Sequence, residues 1–220
     1  RQDGYIEPCG CAGLNRMKGG MSRRHSMFKD LRGRGWPVVA VDVGGIAKGF
    51  GRQAELKFQI MVEGMRKMGY DAITLGKTDL RLPAMELLAV TASVGTEKSP
   101  FISANVVVFD PTMTAKTRVS EAGGMKIGIT GVLGNQFQKA INNSGLKMSD
   151  PEAALKQVVP KLKQQCDLMI LLAHATMDET LDLAKKFPEF DLIVTAGGAP
   201  VPPNKWIDIK GSKSKLIEVG

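Results

Sequence analysis

The sequence predicts an α/β protein in which a mixed sheet, or two packed sheets, is covered by helices. Three observations carry that expectation. Short continuous apolar runs, such as Trp36 to Val41 and Leu168 to Ala173, have the length of strands buried on both faces. Amphipathic stretches at helical spacing alternate with them, the order expected of layered α/β folds. The tail, Trp206 to Lys210 and Ser214 to Val219, alternates like two antiparallel strands joined by a Gly-Ser turn.

Taken in order, Met21 to Leu31 has helical character, with Met21, Met27 and Leu31 as inward positions and Gly33 placed to end it. The run from Trp36 closes on Asp42, an acid at the carboxyl end of a strand. Gly44, Gly45, Gly49 and Gly51 follow, in a spacing that matches neither a dinucleotide-binding nor a Walker loop. Ala54 to Met68 is the clearest helix, with Leu56, Ile60, Met61, Met65 and Met68 as its apolar side. Asp71 to Gly76 returns as a strand that leaves through Lys77-Thr78-Asp79-Leu80, and Leu82 to Thr91 reads as a further helix. Phe101 to Phe109 and Met125 to Val132 read as two strands separated by a polar, Thr-rich loop. Asp150-Pro151-Glu152 is a helix start, with a capping acid, proline at the first helical position and acid in the first turn. That helix is expected to reach about Gln165 and to kink at Pro160. Asp167 to Ala173 is a buried strand ending at His174, Asp178 to Lys186 a helix, and Asp191 to Thr195 a strand feeding Ala196 to Pro200.

With 220 residues and 43% hydrophobic content, a single domain spanning 1–220 is expected, trimmed from a longer chain or lacking its first strand. No apolar run is long enough for a transmembrane segment, and no signal peptide opens the chain. The net charge of +8 gathers early, at Arg16, Lys18, Arg23, Arg24, Lys29, Arg32 and Arg34, with Asp30 the one acid among them. Such a cluster is either a solvated basic face or a dock for an acidic partner. An aromatic content of 5%, without a nucleic-acid-binding motif, argues against nucleic acid. The three cysteines, Cys9, Cys11 and Cys166, cannot all pair internally, and no covalent haem motif is present.

Ligands of layered α/β folds collect at the carboxyl ends of strands. That rule selects Cys9 and Cys11, Asp42 to Gly45, Gly76 to Asp79, His174, and Thr195 to Ala199. Cys9 and Cys11 flank a glycine, so a disulfide between them would close a small, strained and readily reduced ring. Arg23, Arg24 and the helix start at Gly20 would lower a thiol pKa there. The alternative is a pair of small thiols packed beneath a loop. Cys166, entering an apolar strand, reads as a buried core thiol. Asp42 and Asp79 are expected to accept backbone or lysine hydrogen bonds, with Lys77 the favoured partner, and Glu7 to line the same site.

Several segments resemble the N-terminal domain of the 5′-nucleotidase and UDP-sugar hydrolase (UshA-like) family, built on the calcineurin-like metallophosphoesterase fold. Gly4-Tyr5-Ile6-Glu7-Pro8 with Gly19-Gly20-Met21-Ser22-Arg23 is similar to the family's Asp-Phe-His-Gly-x-Leu-Glu-Pro and Gly-Gly-Leu-Ala-Arg. Gly69-Tyr70-Asp71-Ala72 before Gly76 resembles its Gly-Tyr-Asp-Ala before Gly-Asn-His-Glu. Ser103-Ala104-Asn105-Val106 resembles its Ser-Ala-Asn-Val, and Asp167 through His174 its strand before the metal histidine. The resemblance implies an αββα sandwich, two packed mixed sheets flanked by helices. It also implies a dinuclear metal site, whose ligands this chain has largely replaced. Arg1 and Asp3 stand at the first Asp-x-His, Gly45 at the bridging aspartate, Lys77 and Thr78 at the Asn-His pair, and Gly197 and Ala199 at the Gly-His-x-His. Only His174 persists, so phosphoester hydrolysis is disfavoured. The Glu-Pro-Cys-Gly-Cys form resembles a bacterial subgroup whose members include selenoproteins and proteins joined to multihaem cytochrome c modules. This implies an exported, periplasmic protein with a cytochrome or other acidic partner. Its chemistry would be carried by Cys9 and Cys11, either as redox thiols or, with His174, as ligands of one zinc or copper ion.

Overall fold

A computed structural model of the chain describes residues 3–7, 19–92, 99–197, 201 and 203–219. Cys9, Cys11, Arg1 and Ala199 lie outside the described residues. In chain order the elements are α1 (Met21–Gly33), β1 (Val41–Asp42), α2 (Arg52–Lys67), β2 (Ala72–Ile73), α3 (Ala84–Thr91), β3 (Val106–Val108), β4 (Thr117–Ala122) and β5 (Met125–Leu133). They continue with α4 (Asn135–Gln138), β6 (Leu146–Met148), α5 (Pro151–Lys163), β7 (Leu168–His174), α6 (Met177–Lys186), β8 (Leu192–Thr195), β9 (Ile207–Asp208) and β10 (Lys215–Glu218).

The larger sheet has the order β4-β5-β7-β8-β10-β9, with four parallel strands in the middle and an antiparallel strand at each edge. A smaller sheet lies against it. There β1 and β2 run parallel, and single bridges from Ile73 to Phe101 and from Ile102 to Ala115 widen the array. Val43, Ala72 and Ile102 of the smaller sheet pack against Ile129, Ile170, Leu172 and Val194 of the larger one. This inner layer, with helices outside both sheets, is the αββα arrangement.

The continuous apolar run of β7 is explained by that position. Met169, Leu171 and Ala173 face outward to the cluster that holds Leu155, Val158 and Leu162 of α5 and Leu183 of α6. Ile170 and Leu172 face inward. The period of two then carries His174 inward as well, where its ring meets the backbone of Val43. The expected capping start of α5 holds. Asp150 accepts the Ala153 N–H at 2.8 Å ahead of Pro151, and α5 runs on past Pro160 to Lys163. Thr176 and Glu179 form a reciprocal capping box at the head of α6.

Four expectations need correction. The buried side of α2 is Ala54, Phe58, Met61, Val62 and Met65, while Leu56 and Ile60 are exposed. The first set falls on one arc at 100° per residue, and Leu56 and Ile60 fall on the opposite side. In α1, Phe28 is buried and Met27 is 51% exposed. The Thr-rich loop contains β4, an antiparallel partner of β5. Gly123 and Gly124 join the two with φ of 59° and 77°, the left-handed pair that a tight hairpin requires. Finally, Phe101 to Phe109 is not one strand: Phe101 and Ile102 bridge the smaller sheet, and β3 pairs with β6 in a separate ribbon. Asn105 directs this switch, donating to the Leu133 and Ser149 carbonyls and accepting the Leu133 N–H.

Candidate functional site

The loops after β1 and β2 meet backbone to backbone. A Cβ on Gly44 would lie 2.4 Å from the Gly76 nitrogen, so the approach requires glycine. Asp79 ties the loops together from a fully buried position. Its Oδ2 accepts the Gly45 and Gly76 N–H groups, each at 2.8 Å, and its Oδ1 accepts that of Ala47 at 2.7 Å. Burial pushes this carboxyl up to about 6 from 3.8, against the pull of the three N–H donors. A raised folded-state pKa means that this group's contribution is fully present below the unfolded value and is lost as pH rises. We therefore expect unfolding free energy to fall between pH 3.8 and about 6 through this group. The drop is on the order of 3 kcal/mol, and chemical denaturation over that range with Asp79→Asn as the flat reference would measure it.

Asp42 is buried at the end of β1. Its Oδ1 accepts the Gly44 N–H at 2.9 Å, and its Oδ2 pairs with the Arg24 guanidinium at 3.2 Å. Arg24 also donates to the Tyr70 hydroxyl at 2.6 Å. The early basic cluster is thus partly internal. Arg24 is committed to Asp42 and Tyr70, Arg32 donates to the Met68 and Gly69 carbonyls, and Arg34 pairs with Asp30.

His174 is 4% exposed at the end of β7. Its Nδ1 lies 2.9 Å from the Val43 carbonyl oxygen, and its Nε2 accepts the Lys77 N–H at 3.1 Å. A carbonyl facing one nitrogen and an N–H facing the other select the neutral tautomer with the proton on Nδ1. Lys77 does not pair with Asp79 as expected. Its Nζ sits 4.6 Å above the Phe137 ring, which in turn tilts against His174 at 5.3 Å. These groups line a cavity of about 270 Å³ with Asp3, Gly45, Lys48, Thr78 and Ala196.

The structure brings Lys77 and His174 into that cavity, with Asp79 buried beneath its floor and Asp42 buried nearby against Arg24. Glu7 is exposed at the head of α1, where the Ser22 hydroxyl donates to it at 3.1 Å. The segment carrying Cys9 and Cys11 leaves Glu7 and rejoins the described chain at Gly19. Asp3 and Gly4, before it, donate to the Gly45 and Ile46 carbonyls beside the site. Cys166 is half-buried, donates to the Leu162 carbonyl, and has its thiol pushed up by burial. Sequence reasoning missed Lys48 and Phe137. Lys48 sits within the conspicuous glycine-rich loop, whereas nothing in the sequence marks Phe137.

The described residues do not fit the two divalent ions that the fold implies. Among the described residues no three His, Cys, Asp or Glu side chains gather as a metal-holding group. Both ring nitrogens of His174 face backbone groups, Asp79 is taken by three N–H donors, and Asp42 by Arg24 and Gly44. Two ammonium groups in the same cavity oppose cations by charge.

The fold is that of the 5′-nucleotidases. The chain superposes on a 5′-nucleotidase precursor from Thermus thermophilus with a TM-score of 0.79 at 19% identity, covering 98% of this chain and 47% of that one. The Haemophilus influenzae NAD nucleotidase superposes with a TM-score of 0.70 at 21% identity, over 92% of this chain and 44% of that one. In sequence the chain is similar to an apyrase from Tabanus yao, 24% identical over 192 residues, which are 82% of this chain and 33% of the apyrase. The chain therefore spans about a third of that relative's length and less than half of these solved neighbours. No family model matches it.

Proposed function

We propose that this domain keeps the 5′-nucleotidase fold but has given up two-metal hydrolysis, and that Cys9-Gly10-Cys11 carries its chemistry as redox thiols or as ligands of a soft metal. One observation carries the first part: the imidazole at the metal-histidine position is held between the Val43 carbonyl and the Lys77 N–H. A histidine so engaged would have to break a backbone hydrogen bond to coordinate a metal. The second part rests on the sequence, with two thiols one residue apart shortly after Asp3 and Gly4, whose N–H groups donate to the Gly45 and Ile46 carbonyls beside the site. Export, and a multihaem cytochrome c module or another acidic partner, belong to the same proposal and rest on the resemblance of the cysteine motif. No helix among the described residues is long and apolar enough to cross a membrane.

Two measurements test the two parts separately. The protein supplied with manganese or zinc is expected to turn over no phosphomonoester or nucleotide. Metal-dependent turnover that vanishes in His174→Ala would return the domain to the hydrolases. Alkylation of the reduced protein across a pH series is expected to find a thiol reacting well below the ordinary cysteine range, or metal analysis to find a bound ion lost in Cys9→Ser. Ordinary thiols together with no metal would remove the cysteine motif from the chemistry.

A further inference from the structure

Resting on the non-hydrolytic reading above, we infer that the cavity bounded by Lys77, Lys48, Thr78 and Phe137 binds a small oxyanion, of the size of phosphate or a small phosphomonoester, without any metal ion. In a two-metal site the divalent cations supply the positive charge that attracts a phosphoryl group. Here the cavity at the same strand ends contains side-chain ammonium groups instead.

The charges around the cavity leave these ammonium groups available. Among the described residues neither Lys48 nor Lys77 takes part in an ion pair. The nearby buried acids are satisfied elsewhere, Asp42 by Arg24 and Asp79 by three N–H groups. The His174 ring nitrogens face the Val43 carbonyl and the Lys77 N–H rather than the cavity lysines' ammonium groups. Among the described residues that line the cavity, Lys48 and Lys77 stand against a single carboxylate, that of Asp3, an excess of positive charge. Lys77 is half-buried and rests on the Phe137 ring, and the exposed Lys48 lies 5.9 Å from the centre of the Tyr5 ring. Aromatic faces hold both ammonium groups in place without neutralising them. A half-buried ammonium also interacts with an anion more strongly than one in open water. At about 270 Å³, the cavity has room for an oxyanion with a small organic group attached.

The test is titration of the whole chain with inorganic phosphate in the presence of a chelator, read by calorimetry and by amide chemical-shift changes. Saturable binding is expected, with shifts at Gly45, Lys77 and Thr78, and weakening as chloride is added. Lys77→Gln keeps most of the stem over Phe137 and is expected to weaken binding by about tenfold to a hundredfold, the loss of one charge-assisted contact. Lys77→Arg is expected to restore most of it, and Asp3→Asn to tighten it. No saturable binding by the folded wild-type protein would overturn the inference. So would binding that appears only with added manganese or zinc, or binding unchanged in Lys77→Gln. The two proposals fail separately: metal-dependent turnover refutes the non-hydrolytic reading, whereas absence of both turnover and phosphate binding refutes only this inference.

Discussion

Replacing Asp79 with alanine is expected to cost the fold about 3–5 kcal/mol, among the largest effects available to any single polar side chain in the molecule. The carboxylate is fully buried and is the shared acceptor for the Gly45, Ala47 and Gly76 N–H groups. Alanine leaves all three donors facing an apolar void. Each orphaned buried N–H costs about 1–3 kcal/mol, and partial collapse or entering water recovers some of the sum. Because the donors lie on two different loops, the damage is not confined to stability. The loops after β1 and β2 lose their common anchor, so the Lys77 N–H to His174 contact and the adjoining cavity should loosen with them. Urea unfolding measures the first effect, and amide hydrogen exchange at Gly45, Ala47 and Gly76 the second. A variant as stable as the parent, with those amides still protected, would show that Asp79 does not hold the loops.

Gly76→Ala is expected to cost about 2–4 kcal/mol and to displace His174. A Cβ there would stand 2.4 Å from the Gly45 nitrogen and 2.5 Å from His174 Cε1. The first neighbour is backbone and the second is a ring hydrogen-bonded on both sides, so neither yields without breaking a contact. Gly33→Ala supplies the contrast. It ends α1 with nothing within 4 Å of the added carbon and without a positive φ. A glycine-to-alanine change in such a place is neutral or stabilising by up to about 1 kcal/mol, because alanine restricts the unfolded chain. Comparing the unfolding midpoints of the two variants separates steric crowding at the site from the general effect of losing a glycine. Equal midpoints would contradict the close packing of the two loops.

The order of elements was legible because local chemistry sets it. Asp150 before Pro151 makes a helix start in almost any context, and seven consecutive residues able to lie between two layers make β7 a central strand. What misled were features that apolarity alone does not separate, or whose outcome depends on a distant partner. Leu56 and Ile60 are as apolar as Phe58 and Val62, and only plotting all of them at 100° per residue separates the inward arc of Ala54, Phe58, Met61, Val62 and Met65 from these two exposed residues. The stretch from Phe101 to Phe109 is uniformly strand-like, yet hydrogen bonds from Asn105 to Leu133 and Ser149 divide it between two pairings. The double glycine at Gly123-Gly124 was a readable hairpin signal that the polar composition around it obscured.

For the site, the sequence by itself determined the inventory: two thiols beside a glycine, a histidine at a strand end, and lysine and threonine following a strand in Gly76-Lys77-Thr78. It also placed Asp42, Lys77, Asp79 and His174 at the carboxyl ends of strands, because alternation of strands and helices carries that information. Only the tertiary structure decided what each does. Lys77 rests on Phe137 rather than pairing with Asp79, Asp79 gathers three backbone donors, and Arg24 turns from the basic surface to Asp42. The reason is electrostatic. In water a lysine and a nearby aspartate are natural partners, but a buried carboxylate is held by whichever donors the folded backbone presents, and here those are the two glycine loops.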